Sequence, residues 1–241
     1  MYRHVKKLWT HDVGLTILLV VLLAQVFVLY PLVESEVARI VLINFSFILV
    51  LISGVLTVVG TPIWGGAIIG LAIISVILRI IQCIHHAVWL ESTNVIFGAL
   101  FACVLMGVIL SHVFREGPIN FHRIAGAVAL YMLLGILFAM VFTLIDFQDP
   151  TSFSMAPHLE SRNPHILGAN FVYFSFVTLT SVGFGDILPV HPVAKTTVIL
   201  ESMVGQLFPA ILIARLVAME IEDSRKRHAE DSKFTGSDPV N

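Results

Sequence analysis

The chain has 241 residues, of which 57% are hydrophobic and only 12% charged, and its mean hydropathy is +0.94. A soluble domain carries about 25% charged residues, so the composition excludes an ordinary soluble domain and points to a polytopic membrane protein. The net charge of −2 is segregated along the chain and says little about partners, and no nucleic-acid partner is expected.

Residues 1–12 carry Arg3, Lys6 and Lys7 and form a short amino-terminal segment. The apolar run over 13–33 has about the ~20 residues that a bilayer crossing needs. A signal peptide would have a shorter apolar region and a small-residue cleavage site, so the run reads as a retained first helix. No charge occurs between Arg39 and Arg79, an interval that suits two crossings. Gly60-Thr61-Pro62 marks the break, because proline disfavours helix at the residue before it. The expected second and third helices therefore cover 37–59 and 63–81, with Gly65, Gly66 and Gly70 letting the third approach a neighbour closely. A semi-polar connection with Gln82, His85 and His86 leads to a fourth helix over 92–114, stopped by Arg115-Glu116-Gly117-Pro118. The linker 115–123 is short and basic. A fifth helix is expected over 124–145, then an exposed loop over 146–170 with three prolines, His158 and His165. A final apolar helix covers 193–219, and a charged, partly helical tail covers 220–241.

Lysine and arginine placement sets the orientation. With six crossings and the amino end inside, ten of these residues lie on the cytoplasmic side and four (Arg39, Arg79, Arg162 and Lys195) outside. Both termini are then cytoplasmic, and the 146–170 loop faces outward.

One stretch in this apolar chain has a different character: Thr178-Leu179-Thr180-Ser181-Val182-Gly183-Phe184-Gly185-Asp186. Its two glycines suggest backbone conformations that other residues resist. Irregular backbone at membrane depth is tolerated only where protein buries it or where it lines a watery path. The aromatic segment 170–179 is too short to cross and reads as a helix that enters the membrane; 180–185 would return as a strand. Such a re-entrant loop can aim carbonyl oxygens, and the Ser181 hydroxyl, at a shared axis, where rings of oxygens replace the water shell of a monovalent cation.

The stretch resembles the potassium-channel signature T-x-x-T-x-G-Y/F-G-D: Thr178, Thr180, Val182, Gly183, Gly185 and Asp186 stand where the signature has them. Ser181 replaces the usual threonine and keeps its hydroxyl without the methyl. Phe184 replaces the commoner tyrosine and removes one phenolic hydrogen bond behind the filter. Gly205, twenty residues after Gly185, matches the family's flexible inner-helix glycine, and Pro209 follows one turn on; such residues are usual causes of a kink. The resemblance implies an all-α integral membrane protein with six transmembrane helices and one re-entrant pore helix and filter loop. It implies a four-helix domain over 13–114 and a pore domain over 124–219. It also implies a selectivity filter made by Thr180, Ser181, Val182, Gly183, Phe184 and Gly185, with Thr178 on the pore helix and Asp186 at the outer mouth. Gly205 and Pro209 become the gating hinge. The function implied is passive potassium conduction by a homotetramer in the cell membrane, without enzyme activity and without a cofactor beyond permeant K+. The alternatives are a non-selective monovalent cation channel and, because Gly183-Phe184-Gly185-Asp186 is also G-x-G-D, an intramembrane aspartyl protease that would need Asp146 as its second carboxylate.

Other residues carry weaker signals. The fourth helix lacks the repeated arginines of a voltage sensor, and Arg79 is expected to snorkel to the interface. Glu201, the one acid inside the last helix, either ties the inner helix to the pore helix by hydrogen bonds or tunes ion occupancy and proton-dependent gating. The family position that carries a glutamate behind the filter in some members is Val177 here, so Asp186 is not expected to have a carboxyl partner. Cys83 and Cys103 read as buried free thiols. His85-His86 is half a metal site without further ligands, His158 and His165 are idle loop histidines, and Arg225-Lys226-Arg227 is a solvated stretch near the inner face.

Overall fold

The computed structural model describes residues 14–29, 47–55, 65–84, 88–114, 121–157, 159 and 164–235. The first twelve residues, Arg39, the Gly60-Thr61-Pro62 break, His85, His86, the Arg115–Pro118 stop, His158 and Arg162 lie outside the described residues, as do the side chains of Cys83, His165, Lys226 and Arg227.

No water reaches the bilayer core, so a spanning segment must close its backbone hydrogen bonds within itself, which favours helices. The described chain is helical almost throughout. Helix α1 runs from residue 14 and widens into a π-helical turn over Ala24–Leu29. Helix α2 is described over 47–55. There follow α3 (Gly65–Ile84), α4 (Val88–Val113), α5 (Phe121–Gln148), strand β1 (Phe153–Met155), α6 (Pro164–Leu179), strand β2 (Ile187–Pro189) and α7 (Pro192–Thr235). Among the described residues, three helices are long and apolar enough to cross a membrane: Trp89–Val113, Phe121–Gln148 and Pro192–Ile221. Gly14–Phe27, Gly66–Gln82 and Ile166–Leu179 are apolar but shorter.

Two apolar clusters meet on α5. Leu15, Leu18, Leu51, Ile68, Phe101 and Leu105 pack with Leu130 and Leu133 of the first half of α5. Phe153, Phe171, Phe174, Leu179, Ile187 and Ala194 pack with Phe138 and Phe142 of its second half. Thus 56% of the most apolar window of α5 is buried inside the chain, against 11% for α7. Helix α5 is the post on which both halves are built, and α7 lies on the outside of the single chain.

Several elements depart from expectation. Among its described residues, the 146–170 segment is not one continuous exposed loop. Asp146 sits within α5 and is buried, as are Ser152 and Phe153, and α6 begins at Pro164 rather than near residue 170. Proline suits the first helical position, where its missing N–H has no helical partner to lose. Helix α5 stops just before Pro150. There Asp149 builds the turn, its Oδ1 accepting from the Thr151 N–H at 3.0 Å and from the Thr151 hydroxyl at 2.7 Å. These two bonds hold the Asp149 carboxyl below its usual range. Helix α7 continues to Thr235, so the helical part of the 220–241 tail takes up most of it. A Cβ on Gly66 or Gly70 would meet nothing within 4 Å, so these glycines do not serve a close approach within the chain. Cys103 is exposed rather than buried, because it lies on the outward face of α4. Arg79 places its guanidinium carbon 3.8 Å from the centre of the Phe47 ring, a cation–π contact between α3 and α2 rather than a free reach to the interface.

The aromatic knot around Phe142 joins α5 to β1 and α6. Its ring centroid lies 5.7 Å from that of Phe153, 6.3 Å from Phe171 and 5.2 Å from Phe174. Phe142→Ala should cost about 3–5 kcal/mol, read as a lower melting temperature in detergent, whereas Ile73→Ala on the exposed face of α3 should change it little.

Candidate functional site

The glycine-containing stretch begins where α6 ends, at Leu179. The first N–H groups past the helix fold back onto its last carbonyls. Thr180 N–H donates to the Phe176 carbonyl at 3.1 Å and Ser181 N–H to Thr178 at 2.9 Å. Val182 and Gly183 N–H both donate to the Val177 carbonyl, at 2.9 and 3.3 Å. Val177 therefore takes part through its backbone, not as a side-chain partner of Asp186. Beyond this point φ is positive at every second residue: 58° at Ser181, 59° at Gly183 and 79° at Gly185. Glycine accepts this hand freely; an L-residue pays roughly 1–2 kcal/mol for it, and Ser181 is the sole non-glycine with positive φ among the described residues. The expected strand over 180–185 does not form, because a strand needs negative φ throughout. The paired strands lie on either side of the stretch instead.

The Asp186 end is tied at three points. Tyr173 of α6 donates its hydroxyl to Asp186 Oδ2 at 2.6 Å, and the Ile187 N–H donates to Oδ1 at 3.1 Å. Ala156 N–H donates to the Asp186 carbonyl at 2.9 Å, continuing an antiparallel ladder that pairs Phe153 with Pro189, Ser154 with Leu188 and Met155 with Ile187. The Tyr173 and Phe184 rings lie parallel within 5°, with centroids 6.4 Å apart. Asp186 thus has a phenolic partner behind the stretch, although Phe184 brings no hydroxyl of its own.

The Leu179 end is tied to α5 and α7. The Leu179 carbonyl accepts from the Tyr131 hydroxyl at 3.2 Å, and Gly205 approaches so closely that a Cβ there would lie 2.2 Å from the same oxygen. Gly205 is therefore needed for contact, whatever bending it also permits. Pro209 lies inside α7 and cannot donate to the Gly205 carbonyl four residues back. Thr178 is buried, while the Thr180 hydroxyl donates to the Phe176 carbonyl at 2.6 Å. Gln206 Nε2 donates to Ser181 Oγ at 2.8 Å, joining α7 to the stretch.

Helix α6 from Pro164, the glycine-containing stretch, β2 and α7 as far as residue 222 fall in one matched region. Residues 159–222 match a family model described as "Ion channel". The chain is 35% identical over 88 residues to Protein LctB of Bacillus caldotenax, covering 36% of this chain and 63% of that protein. It is 33% identical over 86 residues to Protein LctB of Geobacillus stearothermophilus, covering 36% of this chain and 62% of that protein. The chain thus spans just under two thirds of the length of these relatives. No solved structure matches.

Ser175 of α6 and Glu201 of α7 form a buried polar contact. Glu201 is 0% exposed and meets the Ser175 hydroxyl, which also lies 2.6 Å from the Gly135 carbonyl of α5. The hydroxyl has one proton and the carbonyl can only accept. Both contacts are satisfied when the Glu201 carboxyl brings a proton of its own. Three helices thereby meet at one point, with Glu201 Oε2 buried and unpartnered among the described residues.

Tyr173, Ser175, Tyr131 and Gln206 were not singled out from sequence. The sequence carries a signal for three of them: a tyrosine or serine inside an otherwise apolar helix needs a hydrogen-bond partner once buried. Nothing in the sequence marks which partner it finds.

Gly205→Ala should cost roughly 3 kcal/mol of stability, seen as a fall in melting temperature in detergent, while Gly66→Ala should be neutral within about 0.5 kcal/mol. Tyr173→Phe keeps the ring over Phe184 but takes the donor from Asp186. It should cost about 1–3 kcal/mol and raise hydrogen exchange at residues 183–187 without affecting α5.

Proposed function

We propose that this chain is one subunit of a potassium-selective channel. Six crossings would put both termini on the cytoplasmic side of the cell membrane, in keeping with the lysine and arginine bias. Helix α6 would enter from the outer face, and residues 180–185 would return as the filter.

The observation that carries the reading is the alternating sign of φ at Ser181, Gly183 and Gly185, directly after a helix. Regular strand geometry sends successive carbonyls to opposite sides; alternating hand lets them share one side. Carbonyls on one side of a chain can replace the hydration shell of a monovalent cation when several chains surround it. The carboxyl end of α6 carries the negative pole of the helix dipole, and it would lie at the inner end of the filter, where a cation waits.

One chain supplies one wall. Val182 and Phe184 are 54% and 69% exposed, and the exposed apolar residues of α7 include Ile199, Met203 and Leu207. A cavity of about 370 Å³ behind the filter, lined by Phe174, Thr178, Phe184, Val198 and Ser202, is open in the single chain. A homotetramer with cyclic symmetry would cover these surfaces with copies of itself. Conduction needs no cofactor and no catalysed step. An aspartyl protease has less support: Tyr173 and the Ile187 N–H engage both oxygens of Asp186, and neither bond involves Asp146.

The test is reconstitution of the full chain in liposomes with opposed potassium and sodium gradients. Potassium flux well above sodium flux, blocked by barium, is the expected outcome. Equal fluxes would make the protein a non-selective cation channel. Absence of any cation flux from tetrameric protein would remove the channel reading.

A further inference from the structure

The link from Gln206 to Ser181 has no counterpart elsewhere in the filter. Its effect follows from what serine lacks. A threonine hydroxyl is held by β-branching, which leaves few χ1 states. Serine has one substituent fewer on Cβ, and its hydroxyl can turn among the staggered positions. At Ser181 the backbone is also in the left-handed region (φ 58°), and the residue is exposed in the single chain. Neither side-chain branching nor burial orients this hydroxyl. The Gln206 amide does so from 2.8 Å away.

The amide is well placed for this. Its neighbour Gly205 is locked against the Leu179 carbonyl, the backbone group two residues before Ser181. The Gln206 backbone is therefore held beside the base of the filter, and its side chain spans the remaining gap. A hydroxyl oxygen has two acceptor sites. Gln206 takes one, which leaves the second for a cation. Thr180, by contrast, spends its proton on the Phe176 carbonyl at 2.6 Å and is set by α6 alone.

We propose that Gln206 is a positioning residue for the innermost cation site. By donating to Ser181 Oγ it turns the remaining lone pair of that oxygen toward the pore axis, and so supplies from the inner helix the orientation that a threonine would supply by its own branching. The proposal rests on the channel reading above. In the tetramer four such amides would form a ring beneath the filter.

The experiment measures reversal potentials of the full-length protein in planar bilayers with potassium on one side and sodium on the other. Wild type, Gln206→Leu, Ser181→Thr and the double variant Ser181→Thr with Gln206→Leu are compared. Gln206→Leu should lower the potassium-to-sodium permeability ratio by roughly 3- to 10-fold, the factor that one net hydrogen bond can supply. Ser181→Thr alone should keep the ratio, and the double variant should restore it, because the β-branched side chain orients its own hydroxyl. A packing role for Gln206 would not be rescued by a methyl group on a different residue. An unchanged ratio in Gln206→Leu, or failure of the double variant to recover it, overturns the proposal while leaving the channel reading intact. Lack of cation current in the wild type overturns both. Should Gln206→Leu fail to fold, Gln206→Glu takes its place: a carboxylate cannot donate, so the ratio should fall again, and a wild-type ratio would sink the idea.

Discussion

A backbone whose φ changes sign at every second residue cannot hydrogen-bond to itself as a helix does. It also cannot join a sheet as a strand does. Inside a membrane such a segment has no water to satisfy it, so the surrounding structure must hold it in place. Residues 181–185 are held at their ends rather than along their length. The Val177 and Thr178 carbonyls take the first N–H groups, and the Tyr173 hydroxyl with the β1–β2 ladder takes the last turn. The middle of the segment keeps its carbonyls free of any described protein donor. The arrangement is rigid at two points and open between them, which is the condition under which backbone oxygens can serve a passing ion.

The clamps depend on α5. It packs against the earlier helices with one half and against α6, the two strands and the start of α7 with the other. Its Gly135 carbonyl receives Ser175, its Tyr131 hydroxyl reaches Leu179, and the Tyr131 ring stacks on Phe208 of α7 at 5.9 Å. A displacement of α5 would therefore be felt at the carboxyl end of α6 and on α7 together. The contact of Ser175 with Glu201 adds a third connection, buried and polar, where any mismatch would leave charged or polar atoms without partners.

Much of the site was legible because it is local. The spacing of Thr178, Gly183, Gly185 and Asp186 encodes a backbone path that few sequences tolerate, and Gly205 stands at a distance the geometry needs. The helices were legible from apolar length. What was not legible is long-range or rotational. The pairing of Phe153 with Pro189 joins three-residue strands with no pattern of their own. Pro164 opens α6 six residues before the aromatic run that announces it, because His165, Gly168 and their neighbours carry little helical signal. Nothing in the sequence but its hydroxyl sets Tyr173 apart from the phenylalanines around it, and that hydroxyl decides its role. Cys103 and the α3 glycines show a related limit: apolar helices reveal that they are helices, but not which face meets protein and which meets lipid.

Helix α7 has 44 residues, roughly 66 Å at the usual rise, and Pro209 divides it unevenly. The part from Pro209 to Thr235 is roughly 39 Å long, so a tilt of about 10° at the proline would sweep its far end through about 7 Å. The same tilt would move Gln206, one turn to the other side, by less than an ångström or so. The helix is thus a lever with a very short arm beside Ser181 and a long one beyond the apolar part of α7. Small forces applied near Thr235 would have a large mechanical advantage over the contacts at Leu179 and Ser181.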